Sequence, residues 1–352
     1  MLKMAISMKS DVQDIRKALI SCLGPVPSAK IRAIKAGSGD SDPDAIVRLQ
    51  APDGPRTIAI ECKRSGQPRP AREAVNQLLR YVGTDNFTYG VFMAPYISER
   101  SAEICAKEGI GYIDLAGNCR LSFDGIYIER SGRPNPRPQR RELRSLYSPK
   151  ATRVLRVLLA SPKRRWKLEA LAKEATVSLG QVANVKKRLL DREWIVSEVG
   201  GIFLKEPEPL LREWAASYES RKNQSESFYS LTDIDEVEVE IADRCREMRL
   251  RYALTAFSGA VRLAPAVRYL RAYAFVDEPG KLADLLGLKR VDSGENVVLL
   301  TPYDNGVFYD SRVIDGVRVA SPIQLFLDLS SIRGRGEEAA EALLDQEIRP
   351  KW

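Results

Sequence analysis

Five residues of this chain have the types and spacing to do chemistry on a phosphodiester. Asp44 follows Pro43 and opens an apolar run, Ala45-Ile46-Val47-Arg48-Leu49. Glu61-Cys62-Lys63 closes a second run, Thr57-Ile58-Ala59-Ile60. Gln77 and Tyr81 follow, four positions apart. Two carboxylates brought to one place suit a hard divalent cation, Mg²⁺ or Mn²⁺, which takes oxygen ligands and keeps several waters. A cation held by Asp44 and Glu61 polarises a phosphoryl oxygen and acidifies a bound water. Lys63 then orients that water or offsets charge developing on phosphorus.

That chemistry needs scaffolding. Both apolar runs are short, β-branched and bounded by Gly, Pro or Asp, which predicts two strands. Ala51-Pro52-Asp53-Gly54-Pro55 between them is turn chemistry, so the strands form a hairpin. Simple pairing of that hairpin puts Asp44 near the level of Glu61. Glu61 and Lys63, two apart on a strand, point to one face. Ala71–Val82 reads as a helix, and its one-turn spacing puts Gln77 and Tyr81 on one side. An amphipathic helix near Asp11–Leu23 precedes the hairpin. A strand over Tyr89–Ala94, a helix over Ser98–Lys107 and strands near 110–115, 120–123 and 126–129 follow it. Alternation of this kind makes an α/β layer. Arg69 and Arg72, in the basic loop 68–72, are candidate phosphate contacts. Residues 111–118 are dense in turn formers and read as structural.

Composition narrows the chemistry further. The 352 residues contain no histidine. Ser-His-Asp and Cys-His catalysis and His-ligated zinc are therefore excluded. The five cysteines, at 22, 62, 105, 119 and 245, are scattered without metal-ligand spacing. They read as reduced thiols of a cytoplasmic protein. No apolar run is long enough to span a membrane, and the N-terminus has no secretory signal pattern.

The net charge of +8 is concentrated in the middle of the chain. Residues 130–205 hold 19 Lys and Arg against six Asp and Glu, a local +13. Such concentration is the electrostatic footprint of a nucleic-acid site. Its first part, 130–150, has six Arg and four Pro and reads as an extended arm, with Arg140 and Arg141 placed to follow phosphates. Its second part has the pattern of a winged helix-turn-helix: helices over 152–160, 168–175 and 179–194, then a hairpin over 195–204 with a Gly-Gly turn. Ser178 is placed to cap the third helix. Val182, Val185 and Leu189 form that helix's apolar stripe. Gln181, Asn184, Lys187 and Arg188 then face outward, as residue types that read adenine, guanine or phosphate. Ser178 and these four are the candidate duplex-DNA contacts.

The rest of the chain is mixed α/β. Residues 206–232 read as a helix and a connection. Beyond them the pattern gives helices over 236–249, from after Ser258-Gly259 to Leu270, and over 322–329 and 337–346. After residues 252–257, strands are expected over 272–276, 296–301, 307–313 and 317–320. Ser258-Gly259 before a helix, with a strand ending at Asp277, resembles a degenerate nucleotidyltransferase. Such enzymes need a close carboxylate pair for two metals, and this strand carries one acid, so no transferase activity is expected.

Pro43-Asp44, Glu61-x-Lys63 and Gln77-x-x-x-Tyr81 resemble the PD-(D/E)xK nuclease superfamily, which implies catalytic roles for those five residues. The order of parts over most of the chain resembles the AbiEi-type antitoxins and regulators of type IV toxin–antitoxin systems. That second resemblance is carried by Glu61-Cys62-Lys63, residues 68–77 and 113–118, the winged helix and residues 320–329. It implies operon repression through the winged helix and a nucleotidyltransferase-type toxin as partner. The expected domains are a nuclease-like domain (1–130), a basic linker (131–150), a winged helix (151–206), a connecting helix (207–232) and a nucleotidyltransferase-like domain (233–352). Three readings stay open: a DNA-binding regulator, a Mg²⁺-dependent endonuclease targeted by the winged helix, and a scaffold with a vestigial nuclease fold.

Overall fold

The structure is a computed structural model that describes residues 2–27, 29–37, 42–83, 88–135 and 146–352, without the side chains of residues 2–12 and 221. The chain makes two compact units. Unit 1 comprises Met1–Pro138 with Asp191–Glu193, and unit 2 comprises Gln139–Leu190 and Trp194–Trp352.

Unit 1 is a seven-stranded mixed sheet with helices on both faces. Its elements are α1 (Leu2–Leu23), β1 (Lys30–Ala36), β2 (Ala45–Ala51), β3 (Gly54–Cys62), α2 (Pro68–Val82), β4 (Thr88–Ala94), α3 (Glu99–Lys107), β5 (Gly111–Asp114), β6 (Cys119–Phe123) and β7 (Ile126–Arg130). The strands lie in sequence order. β3, β4 and β5 run parallel, and the flanking pairs are antiparallel. Period-two alternation sorts the two faces. Val47, Ile58, Ile60, Val91 and Ile113 pack with Ile15, Leu19 and Cys22 of α1. Ala59, Phe92 and Tyr112 pack with Ala71, Ala74 and Leu78 of α2 and with Cys105 of α3. Glu61 continues the alternation of Ala59 and so faces the α2 side.

The expected hairpin is present. Ala45 pairs with Ile60 and Ala51 with Gly54, so Pro52-Asp53 makes a two-residue turn. One strand lies outside the expected pattern. β1 reads Lys-Ile-Arg-Ala-Ile-Lys-Ala and buries almost nothing, so as an edge strand it lacks the apolar periodicity that a sequence signal depends on.

Unit 2 starts with three helices, α4 (Pro149–Ala160), α5 (Leu168–Glu174) and α6 (Leu179–Asp191), then the hairpin β8 (Ile195–Glu198) and β9 (Gly201–Leu204). Val182, Val185 and Leu189 are all buried, as the stripe requires. The hairpin turn falls at Val199-Gly200, and Gly201 already pairs with Glu198. Trp166 joins β9 through two main-chain hydrogen bonds with Ile202, of 2.8 and 2.9 Å.

The second sheet also has seven strands, in the order β13-β10-β14-β12-β11-β16-β15. These are β10 (Gln224–Tyr229), β11 (Tyr252–Leu254), β12 (Ala272–Val276), β13 (Lys289–Arg290), β14 (Val297–Thr301), β15 (Arg312–Ile314) and β16 (Val317–Val319). Around it stand α7 (Pro207–Ser217), α8 (Ile234–Glu247), α9 (Ala256–Ala260), α10 (Pro279–Leu285), α11 (Pro322–Ser330) and α12 (Arg335–Leu343). One continuous core runs from Leu155 and Leu158 of α4 through Trp214 of α7 to Leu325 and Leu344.

Three stretches differ from the expected pattern. Residues 207–232 are more than a connection, because β10 pairs with both β13 and β14 inside the sheet. Its sequence, Gln-Ser-Glu-Ser-Phe-Tyr, buries only Phe228 and so carries little hydrophobic signal. The helix expected to reach Leu270 ends at Ala260, and Pro265 disfavours helical backbone at the residue before it. Residues 307–313 begin in a 3₁₀ turn at Asn305–Phe308, and only Arg312–Ile314 is strand.

Candidate functional site

The candidate centre of unit 1 forms where β3 ends and α2 faces it. Extending the β2–β3 register one step beyond Ala45 and Ile60 sets Asp44 opposite Glu61. Asp44 Oδ2 accepts the main-chain N–H of Cys62 at 2.7 Å, which fixes the exposed carboxylate at the strand end. Lys63 N continues the parallel ladder with a 2.9 Å bond to Met93 O, so Lys63 is held as firmly as a strand residue. Its Nζ lies 3.6 Å from Glu61 Oε2 and donates to Gln77 Oε1 at 2.7 Å. The Glu61, Lys63 and Gln77 side chains therefore converge, with Asp44 beside them.

Glu61 is only 4% exposed. Burial, then the neighbouring charge of Asp44, pushes its carboxyl up to about 7, against the opposing pull of Lys63. Tyr81 is half-buried, and its phenol is raised by burial and then by the charges of Glu61, Asp42 and Asp44. Tyr81 thus stands in the field of the same acids. Asp42 is an addition to the residues expected from the sequence, although it stands two residues before Asp44 across Pro43. Its available signal is the Asp-Pro-Asp spacing itself.

Among the described residues no cluster of three or more Asp, Glu, His or Cys side chains could hold a metal. The donor set at this centre is two carboxylates. That fits a Mg²⁺ or Mn²⁺ that keeps most of its waters, since such ions use one or two protein carboxylates rather than a full cage. A raised Glu61 beside Asp44 is also the charge imbalance that a cation relieves. Asp44 and Glu61 would hold it, and it would supply Lewis-acid polarisation and an acidified water.

The loop joining β3 to α2 is tightly constrained. Gly66 bridges Ile97, and a Cβ at Gly66 would fall 2.0 Å from Tyr96 O. Arg69 and Arg72 are both exposed at the start of α2, and Arg69 pairs with Glu73 at 3.5 Å. Of residues 111–118, Gly111–Asp114 is β5 and only 115–118 is the turn into β6, with its polar groups satisfied. Asp114 accepts from Asn118 N, Asn118 Nδ2 and Ile97 N, and Asn118 Oδ1 accepts from Arg133 N. Arg140 and Arg141 lie outside the described residues.

In unit 2, α6 exposes two of the four residues expected to face outward. Ser178 Oγ accepts Gln181 N at 3.3 Å, which caps the helix. Asn184 and Lys187 are exposed, and Gln181 and Arg188 are half-buried. The structure adds Lys163-Arg164-Arg165, which leads into Trp166 beside the hairpin. Arg164 stacks 3.7 Å from the Trp166 ring, and Arg165 pairs with Glu198 at 2.9 Å. The run of three basic residues is the signal that the sequence offers for it.

A buried polar network fixes this module to the second sheet. Arg156 of α4 is 1% exposed, lies 4.8 Å over the Trp214 ring and donates from Nη2 to Gln324 Oε1. Gln324 Nε2 donates to Asp328 at 3.0 Å, and Tyr218 and Thr255 also donate to that carboxylate. Burial raises Asp328, while its three donors and Arg156 pull it back. Nearby, Arg153 forks onto Asp304 with two bonds of 2.9 Å. These are charge-assisted contacts, and a guanidinium fork fixes orientation as well as distance.

Residues 204–349 match the AbiEi_2 family. That family is described as a transcriptional regulator, AbiEi antitoxin, of a type IV toxin–antitoxin system. The matched stretch begins at the last residue of β9 and takes in α7 and the whole second sheet. No curated protein matches the chain. A solved structure described as EndoMS in apo form is similar over 29% of this chain, at 18% identity and a TM-score of 0.23. The chain spans 45% of that protein's chain, and a likeness so slight decides nothing about function. No helix among the described residues is long and apolar enough to cross a membrane.

Proposed function

We propose that this chain is a DNA-binding transcriptional regulator of the AbiEi antitoxin type, and that α4–α6 with β8–β9 act as its winged helix-turn-helix. The observation that carries this reading is the AbiEi_2 match over 204–349. The stretch just before it supplies what a regulator needs. α6 buries its apolar stripe and turns Asn184 and Lys187 to solvent. Lys163, Arg164 and Arg165 lie beside the hairpin that serves as the wing. Amides of this kind read adenine edges, and lysine neutralises phosphate. A nucleotidyltransferase-type toxin is the partner this reading brings with it, through the C-terminal sheet. The test is binding to the DNA upstream of the chain's own gene against a scrambled duplex of equal length. Preference for the upstream duplex, with affinity falling steeply in salt, supports the reading. Equal affinity for both duplexes sinks it.

A second reading rests on a separate observation, the convergence of Asp44, Glu61, Lys63 and Gln77. In it, unit 1 is a PD-(D/E)xK-type endonuclease centre that takes Mg²⁺ or Mn²⁺ at Asp44 and Glu61. Lys63 positions the attacking water, and Gln77 positions Lys63. Cleavage of supercoiled plasmid with Mn²⁺, present in wild type and lost in Lys63→Ala, supports it. Intact plasmid with both proteins removes it and leaves the regulator.

A further inference from the structure

The five cysteines are scattered in sequence, yet two of them meet in space. Cys22 lies in the last turns of α1 and Cys119 begins β6, 97 positions away, and their sulfurs are 2.6 Å apart. Both are nearly fully buried, at 2% and 1% exposure. They nevertheless line a cavity of about 680 Å³, together with Lys17, Asp114 and Arg130. Arg130 is fixed there by donating from Nη1 to Ser21 O at 2.9 Å, which sets its charge beside the sulfurs.

The two thiols are not equivalent. The Cys22 thiol donates to Cys119, and Arg130 adds positive charge, so Cys119 is drawn below the ordinary thiol range. That same hydrogen bond, with burial, holds Cys22 in its protonated form. One sulfur is thus prepared to attack and the other to resolve, the division that makes a thiol pair oxidise selectively. Among the described residues Cys105 and Cys245 have no such partner, and burial pushes each up to about 12.

We propose that Cys22 and Cys119 form a dithiol modification site, oxidised by small hydroperoxides that enter through this cavity. The Cys119 thiolate attacks one oxygen of hydrogen peroxide. An S–O bond forms, the O–O bond breaks, and hydroxide leaves. Cys22 gives its proton to that hydroxide, which departs as water. The Cys22 sulfur then attacks Cys119 sulfur. The S–S bond forms, and the second oxygen leaves as hydroxide and takes a solvent proton. Counting the proton that Cys119 had already released to solvent, two thiols lose two electrons and one peroxide becomes two waters. The product ties the end of α1 to the sheet face that α1 covers.

The test uses the full chain, reduced, freed of reductant and treated with a small excess of hydrogen peroxide. The expected product is lighter by two hydrogens. Its non-reducing tryptic digest links peptide 18–30 to peptide 108–120, and dithiothreitol reverses the link. In Cys22→Ser the resolving thiol is gone, so a dimedone adduct appears on Cys119. A folded protein that oxidises at the half-exposed Cys62 without linking those peptides overturns the proposal. So does a dimedone adduct absent from Cys119 in Cys22→Ser while wild type stays reduced.

Discussion

Lys63 Nζ sits between two partners of different kinds, 2.7 Å from the Gln77 amide oxygen and 3.6 Å from the Glu61 carboxylate. The shorter bond is to the neutral group. Gln77 therefore aims the ammonium, and Glu61 is held between Lys63 and Asp44. In the nuclease reading, Lys63→Ala abolishes plasmid cleavage. Gln77→Leu keeps the lysine but frees its stem, and lowers kcat by roughly 10- to 100-fold, as loss of an orienting neighbour does. Binding of plasmid DNA in the absence of metal stays the same in both. Equal cleavage by Gln77→Leu and wild type would refute the positioning role.

Glu61 makes the metal-free protein sensitive to pH. Its carboxyl is raised from 4.5 to about 7 in the folded chain. Between those values the native state binds a proton that the unfolded state has lost, so stability falls as pH rises through that window. The lost stability approaches ~3 kcal/mol by pH 8, because each tenfold difference in proton affinity is worth about 1.4 kcal/mol. Glu61→Gln stays neutral and removes this slope. Urea midpoints from pH 5 to pH 8 are expected to fall for wild type and hold steady for the variant. Mn²⁺ restores the wild-type midpoint at pH 8, because cation and proton compete for one carboxylate. Parallel midpoint curves for the two proteins would contradict the assignment.

Arg156 is the pin of unit 2. It reaches from α4 to Gln324 of α11 and supports the buried Asp328 electrostatically. Among the described residues, two of its nitrogens, Nε and Nη1, have no hydrogen-bond partner. Even so, removing the side chain takes away the donor to Gln324 Oε1 and opens a void under Trp214. Arg156→Ala is expected to cost about 2–5 kcal/mol, the range for emptying a large buried side chain. Chemical denaturation followed by tryptophan fluorescence measures it. A loss below about 1 kcal/mol would mean that the surrounding side chains collapse into the void and that Arg156 is not the pin.

The sequence carries most of unit 1 and of α4–α6, because their apolar residues repeat with clear periods. Val182, Val185 and Leu189 announce α6, and Ile58 and Ile60 announce β3. The carboxylate pair is legible because a two-residue turn makes the hairpin register simple to extend. β1 and β10 are not legible, since strands that bury one residue or none leave no period. The Arg156–Gln324–Asp328 network joins residues more than 160 positions apart and has no local signature at all. Cys22 and Cys119 look unrelated in the sequence for the same reason. Gly201 shows the limit from another side. The Gly-Gly pair marks a turn, but the second glycine is needed because φ is +128° and a Cβ there would meet Trp166 O at 2.4 Å.

Lys187 gives the regulator reading its sharpest quantitative test. It is exposed on α6, one helical turn from Asn184, and its ammonium is a point charge suited to phosphate. Phosphate contacts set affinity without reading sequence, whereas base-edge contacts read sequence. Lys187→Ala should therefore weaken binding to specific and scrambled duplexes alike. It should also make the slope of log K against log salt shallower by about 0.9, the share of one phosphate. Asn184→Ala should leave that slope unchanged and lose preference for the specific duplex, by roughly 1–3 kcal/mol for a bidentate adenine contact. Fluorescence anisotropy at several salt concentrations separates the two. If both variants change slope and neither changes preference, α6 follows the DNA backbone, and specificity lies with the wing and the Lys163-Arg164-Arg165 run.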